Sequence, residues 1–141
     1  MNIIVIRTSD KRESPTNTSF PRVIEVFNED DLKEAVSHDY CPFSFRDGQR
    51  SKAGFIEANC IAMDIDNLHS EDPSEWKTPI DVAKAFPSVQ FYVHNSRNNM
   101  KEKDGRAPRP KFHISFPSDW IRSAAVYESV KKKINEMFSV L

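Results

Sequence analysis

The sequence predicts an α+β fold with a partly antiparallel sheet. Apolar segments of strand length are joined in some places by loops and in others by helical segments, and the chain ends in an amphipathic helical pattern. Strands that are connected through loops favour antiparallel neighbours, whereas a fully parallel sheet requires regular strand–helix alternation. The 141 residues, 38 % of them apolar and ten of them Phe, are enough for one domain with a hydrophobic core.

Two strands and one helix are predicted in the first forty residues. The strand segments are NIIVI at 2–6 and RVIEVF at 22–27, and the loop between them is polar. A helix is expected over 28–38, because Asn28 is a favourable N-cap and acidic residues occupy the first turn. Residues 39–54 are expected to be irregular.

The remaining segments alternate between strands and helices. The longest strand candidate is FIEANCIAMDID, and shorter ones are VQFYVHN and KFHISF. Thr78 and Pro79 are typical of a helix start, so a helix is expected up to Phe86. Turns are expected at Asp47-Gly48 and Asp104-Gly105. Apolar residues at three- and four-residue steps predict a C-terminal helix: Ala125, Val126, Val130, Ile134, Met137, Phe138 and Leu141.

Bulk properties exclude several classes of protein. The net charge is −1, so global charge indicates neither a nucleic-acid nor a membrane partner. No run of about 18 apolar residues occurs, which predicts no transmembrane helix, and the N-terminus lacks the pattern of a secretory signal. Cys41 and Cys60 show no metal-ligand spacing, and three glycines exclude a glycine-rich phosphate loop. We expect a cytoplasmic protein with reduced thiols.

An acidic pair ends the longest predicted strand. Asp64 and Asp66 lie on one face of that strand, because alternate residues share a face, while Ile61, Met63 and Ile65 point the other way. Two carboxylates on one face repel each other unless a cation lies between them, and oxygen ligands suit Mg²⁺ or Mn²⁺. The alternative interpretation is a pair of solvated acids before a turn at Asn67.

A second strand adds polar groups that fit this interpretation. In KFHISF, the residues Lys111, His113 and Ser115 share one face, and the aromatic and aliphatic residues share the other. If both strands belong to one sheet, a carboxylate pair lies beside an imidazole, an ammonium and a hydroxyl. That combination is typical of a phosphate held between metal ions and basic side chains. Alternatively, His113 is an ordinary partly buried histidine and Lys111 a solvated charge.

Two loops are locally basic. The segment 97–111 carries six basic residues against two acidic ones, a net local charge of +4. Such a loop suits a nucleic-acid backbone or a nucleotide triphosphate, although a solubilising hairpin loop has the same composition. A second loop carries Arg46, Arg50 and Lys52, and a phosphate contact by Arg50 is one interpretation of it beside a plain solvated loop.

The motifs resemble those of the archaeo-eukaryotic primase superfamily, the primase-polymerases. IAMDID matches its hydrophobic-Asp-x-Asp motif, and KFHIS supplies the strand histidine but has Lys111 in place of a small residue. The stretches RSKAGFIEANCIAMDIDN and VHNSRNNMKEKDGRAPRPKFHISFP are similar to primase domains of phages, plasmids and integrative elements. This resemblance covers roughly residues 40–140.

The resemblance implies a function and a set of partners. Asp64 and Asp66 would bind Mg²⁺ or Mn²⁺, and His113 would contact the phosphates of an incoming NTP or dNTP. From position alone, Ser96, Arg97, Lys111 and Arg50 are further candidates for phosphate contacts. The family combines an RRM-like catalytic sheet with a small N-terminal α/β unit, acts on a single-stranded DNA template, and works beside a helicase domain or protein.

The sequence departs from the family in one motif. The family has a third, hydrophobic-Asp motif after the histidine strand, but here Asp119 is the only downstream Asp, and it is expected in a turn before the helix. We therefore expect 1–141 to be one domain of a longer protein, with an N-terminal unit at 1–40 and a catalytic-type core at 41–141.

Three further hypotheses stay open beside nucleotidyl transfer. A domain without a complete ligand set would bind nucleotides or nucleic acid without catalysis. A haloacid-dehalogenase-type phosphatase also begins with Asp-x-Asp, but the Thr and the glycine turn that usually follow are absent from DIDNLHS. A replication-initiator nuclease needs a His-x-His pair, and KFHIS has one His.

Overall fold

The computed structural model describes residues 3–51 and 53–138. Asn2 of the first predicted strand, Lys52 of the second basic loop and Leu141 of the helical pattern lie outside the described residues. The chain divides into two compact units. The first comprises Met1–Ile61 and Pro117–Glu128, and the second comprises Ala62–Phe116 and Ser129–Leu141.

Strands and helices are mixed along the described residues, as the predicted α+β class requires. The strands are β1 (Ile4–Thr8), β2 (Arg22–Val26), β3 (Tyr40–Cys41), β4 (Ser44–Phe45), β5 (Phe55–Ile65), β6 (Tyr92–Asn95) and β7 (Phe112–Ile121). The α-helices are α1 (Glu29–Val36), α2 (Pro79–Ala85) and α3 (Ala124–Phe138). Within the described ranges, no helix combines the length and the apolar character that crossing a bilayer requires.

The first sheet forms the small N-terminal α/β unit together with α1. Its strand order is β2-β1-β3, and both pairings are antiparallel. The predicted N-cap is confirmed, because the Asn28 side chain accepts a hydrogen bond of 3.0 Å from the Asp31 N–H. Leu32 and Ala35, three residues apart on α1, are buried.

The second sheet has the strand order β4-β5-β7-β6. β7 lies between β5 and β6, although β6 precedes it in the chain, and α2 connects β5 to β6. The β4–β5 and β6–β7 pairings are antiparallel. An antiparallel sheet with this order and with flanking helices fits the RRM-like class that was predicted.

The core of the second unit is built from the apolar faces of β5 and β7. Met63, Ile65 and Ile114 are at most 2 % exposed. Val82 of α2 is fully buried, and the rings of Phe86 and Phe116 lie 5.2 Å apart. Burial of each such side chain contributes about 1.5–3 kcal/mol to stability, and it fixes which face of each strand points outward.

Two details differ from the sequence-based expectations, and one expected turn is confirmed. β7 extends to Ile121, so Asp119 lies within a strand and not in a turn. The segment predicted as irregular contains β3 and β4. Both differences arise from pairing with distant strands, which local sequence does not encode: β3 pairs with β1, and β7 lies beside the 11-residue β5. The predicted turn at Asp47-Gly48 is confirmed, with positive φ at both residues.

Candidate functional site

The outward face of β5 carries the acidic pair. Ile61, Met63 and Ile65 are at most 2 % exposed, whereas Asp64 and Asp66 are exposed. The predicted alternation is therefore confirmed at this strand end. The side chain of Asp64 is 65 % exposed, so solvent and solutes reach its carboxylate.

The structure brings His113 to Asp64. His113 on β7 lies between the buried Phe112 and Ile114, and its side chain is 28 % exposed. Its Nδ1 atom is hydrogen-bonded to Oδ1 of Asp64, which is 49 residues away in the chain. Asp64 and His113 thus lie on the same face of the second sheet, and Asp66 is exposed one residue beyond the end of β5.

A second histidine, His94, belongs to the same site. It lies opposite His113 in the β6–β7 register, and the two ring centroids are 4.8 Å apart at an interplanar angle of 31°. The sequence alone did not identify His94, because a lone His on a strand gains meaning only once the strand register is known. Asp64, His94 and His113 are called the histidine cluster below.

Asp64 and His94 of the histidine cluster differ in how their surroundings shift their pKa values and therefore in their charge. The hydrogen bond from His113 lowers the pKa of Asp64, against the opposing effect of burial, and the positive charge of Lys131 acts in the same direction as His113. Burial, followed by the charge of the neighbouring His113, lowers the pKa of His94 to about 4. At neutral pH, Asp64 is therefore ionised and His94 is uncharged.

Ser96 and Lys111 flank the basic loop, and its backbone joins them. The Ser96 N–H donates to the Lys111 carbonyl at 2.9 Å, and the Lys111 N–H donates to Oδ1 of Asn99 at 2.9 Å. Lys111 is 8 % exposed, whereas Arg97 is exposed. Phosphate contacts by these residues stay a prediction, and of the two cations Arg97 is the one at the surface.

Arg50 belongs to the first unit. It is exposed, and its backbone N–H donates to the Thr18 carbonyl at 2.7 Å. It lines a cavity of that unit, which is described below, and the phosphate contact predicted for Arg50 stays a prediction.

Arg109 of the basic loop is a structural residue. Its guanidinium is 0 % exposed and donates to the carbonyls of Asn67 and Ser70 at 2.9 and 3.1 Å, and to the Glu71 carboxylate at 2.6 Å. It also lies 5.1 Å above the Trp76 ring. Arg109 therefore adds nothing to the cationic surface that the sequence predicts for this loop. Arg109, Asn67, Ser70, Glu71 and Trp76 are called the arginine cluster below.

The acidic pair is chemically suited to a hard divalent cation. A carboxylate has two oxygens, so the bond between Asp64 and His113 leaves the second oxygen of Asp64 as a ligand. Mg²⁺ is commonly held by one or two carboxylates, with water and phosphate oxygens completing the shell. Within 3–51 and 53–138, no group of three or more His, Cys, Asp or Glu side chains is arranged around a common metal position.

No family model matches the chain, and no curated protein or solved structure is significantly similar to it. The function of the chain is therefore inferred from the geometry of the histidine cluster and from the sequence motifs that form it.

Proposed function

We propose that this chain is a primase-like domain that catalyses metal-dependent, template-directed nucleotidyl transfer in DNA replication. The observation that carries the proposal is the hydrogen bond between Asp64 and His113, which come from two strands of one sheet. Asp66 is exposed just beyond the end of the same strand as Asp64. The resemblance to primase-polymerases requires these three residues to reach one triphosphate. If the side chains of Asp64 and His113 had pointed to opposite faces of the sheet, the proposal would have been ruled out.

Each residue has a separate task in this reaction. Asp64 and Asp66 would hold Mg²⁺ or Mn²⁺, which neutralises phosphate charge and polarises the attacking 3′-hydroxyl. Asp64 also orients the His113 ring by accepting a hydrogen bond from its Nδ1 atom, and His113 would contact a phosphate of the nucleotide. His94 packs against the His113 ring and would restrict its movement.

The surroundings of the site are consistent with an anionic substrate. Arg97 is exposed at the start of the basic loop, and Lys101 and Lys103 are exposed further along it. Ser96 begins the loop one residue after the end of β6. These side chains would contact the template or the triphosphate as the substrate binds. A cytoplasmic location and a helicase partner belong to the same proposal.

A binding module without catalysis is the second candidate. It is supported by the ligand set, since the described residues contain no group of three or more His, Cys, Asp or Glu side chains around a common metal position. Such a domain would bind a nucleotide with Mg²⁺ and release it unchanged. The two candidates predict the same affinity for NTP and differ in the product.

The test combines synthesis and binding on the full chain. The protein is incubated with a single-stranded DNA template, labelled NTPs or dNTPs and Mn²⁺, and extended products are separated on a gel. We expect products from the wild type and a loss of about 100-fold or more in Asp64→Asn and Asp66→Asn. Asp104→Asn is the matched control, because Asp104 is an exposed acid in a turn of the same unit whose positive φ an Asn tolerates.

The other outcomes separate the remaining hypotheses. A Mg²⁺-dependent rise in melting temperature with NTP, without product, identifies the binding module. Phosphate release from a small phosphoester that is lost in Asp64→Asn identifies a phosphatase. Equal synthesis by Asp64→Asn and the wild type contradicts the role proposed for Asp64 in nucleotidyl transfer.

A further inference from the structure

The first unit contains a cavity that the proposed reaction does not use. Its volume is about 910 Å³, within the range of ligand-binding sites. Residues from five separate segments line it, which include the loop at 15–18, the start of β5 and the first turns of α3. All of these residues belong to the first unit.

Aromatic rings form one wall of this cavity. Phe43 packs edge-to-face against Tyr127, with ring centroids 4.7 Å apart at 89°, and against Phe45, at 5.8 Å and 89°. Phe55 lies 5.5 Å from Phe43. Phe43, Phe45 and Phe55 are only partly buried. An edge-to-face pair covers the face of only one ring, so this wall keeps aromatic surface for another planar group.

The rim of the cavity is polar and held in place. The Arg50 N–H donates to the Thr18 carbonyl at 2.7 Å, the Thr18 hydroxyl donates to the Gln49 side chain at 3.2 Å, and the Phe20 N–H donates to the Gly48 carbonyl at 3.1 Å. These bonds tie the loop at 15–18 to the segment that carries Arg50. A preorganised rim reduces the entropy cost of binding.

The charges on the lining indicate the chemistry of the occupant. Arg50 is the cation on the lining and is exposed, and Glu128 is the acid. Planar aromatic surface next to one guanidinium suits a nucleobase attached to a phosphate. Among the residues that the structure describes, one cation lines the cavity, which matches the single charge of a phosphodiester. A triphosphate, with about four charges, needs a metal ion or several basic residues.

We propose that this cavity binds one nucleotide of single-stranded DNA, with the base against Phe45 and its neighbours and the phosphate at Arg50. The choice of a DNA strand as occupant rests on the proposed function. The small exposed side chains of Ala124 and Ala125 line the cavity and leave space for the strand to continue.

The test measures binding of a labelled oligothymidylate of about ten nucleotides by fluorescence anisotropy, without divalent metal. Phe45→Leu keeps an apolar side chain but loses the aromatic face, and we expect it to weaken binding about five- to one-hundred-fold. Phe91→Leu is the matched control, because Phe91 is a partly buried ring of the other unit and lies outside the cavity. It should change affinity less than twofold.

The charge is tested in the same assay. Arg50→Gln should weaken binding and reduce the slope of log K against log salt by about 0.7. Arg46→Gln is the matched control, because Arg46 carries the same charge, lies four residues before Arg50 and does not line the cavity. It should have a smaller effect on both the affinity and the salt slope. Because Arg50 is exposed, the Arg50→Gln result stands even if Phe45→Leu does not fold.

Three results would overturn the inference. They are no binding of the oligomer by the wild type, equal effects of Arg50→Gln and Arg46→Gln, and free thymidine monophosphate that competes as strongly as the oligomer. The proposed function is tested separately, because Asp64→Asn should retain oligomer binding whether or not the wild type synthesises DNA. If synthesis fails while Phe45→Leu still weakens binding, the cavity remains a strand-binding site.

Discussion

The histidine cluster and the arginine cluster are two polar groups of the same unit with opposite character. In the arginine cluster, a guanidinium that is 0 % exposed donates hydrogen bonds to the carbonyls of Asn67 and Ser70 and to Glu71. In the histidine cluster, Asp64 is 65 % exposed and its carboxylate is hydrogen-bonded to one imidazole. A cation whose donors are satisfied inside the protein stabilises the fold, whereas an accessible carboxylate can bind a substrate or a metal ion.

This difference changes the interpretation of the basic loop. Its charge alone predicts phosphate binding, but Arg109 is buried and Arg106 contacts the Leu68 carbonyl at 3.2 Å and Glu71 at 3.4 Å. Both arginines hold the segment that follows the acidic pair. The loop therefore contributes to the site partly by fixing the chain after β5.

The largest expected effect is on the arginine cluster. Arg109→Met should lower the free energy of unfolding by about 3 kcal/mol, because it leaves the buried carbonyls of Asn67 and Ser70 without donors. Arg106→Met is the matched control, since this side chain is 45 % exposed and its ion pair is longer. Its cost should be below about 0.5 kcal/mol. Urea denaturation measures both, and equal losses would contradict the assigned structural role.

The next effect concerns His94 and pH. Its pKa falls from 6.5 in the unfolded chain to about 4 in the folded one, so between these values the unfolded state binds more protons. Stability is therefore lost as pH falls from 6.5 to 4. Because the ring is partly exposed, we expect a loss of about 1–2 kcal/mol.

His94→Phe tests this effect by keeping a ring against His113 without a titrating group. Its free energy of unfolding should fall less than that of the wild type between pH 6.5 and 4. Parallel pH profiles of the two proteins would show that His94 titrates normally in the folded state.

The smallest effect is on Asp64. At pH 7, Asp64→Asn should cost less than about 1 kcal/mol, because its hydrogen bond to His113 is partly exposed and an Asn oxygen can still accept it. The folded-state pKa of Asp64 is lowered, so its contribution is present above pH 3.8 and is lost as pH falls through the folded-state value. The difference between wild type and variant should thus shrink in acid. A cost as large as that of Arg109→Met would remove the distinction between the two clusters.

Local signals were sufficient for several elements of the fold. Asn28 predicted the start of α1, and alternation along β5 predicted the outward direction of Asp64 and Asp66. Each of these depends on a few neighbouring residues, because hydrogen bonds at helix starts and the period of two in strands are local properties. For the candidate site, the sequence predicted which residues take part, namely the two acids and His113. It did not predict the hydrogen bond between Asp64 and His113.

The sequence by itself determined which side chains point outward from each long strand, and with them the candidate chemistry of Asp64, Asp66 and His113. Tertiary structure decided the pairing of His94 with His113, the burial of Arg109 against Glu71 38 residues away, and the cavity beside Phe43. The physical reason is that burial and hydrogen-bond partners depend on strand register and on contacts between distant segments, and the same charged residue is structural or accessible according to those contacts.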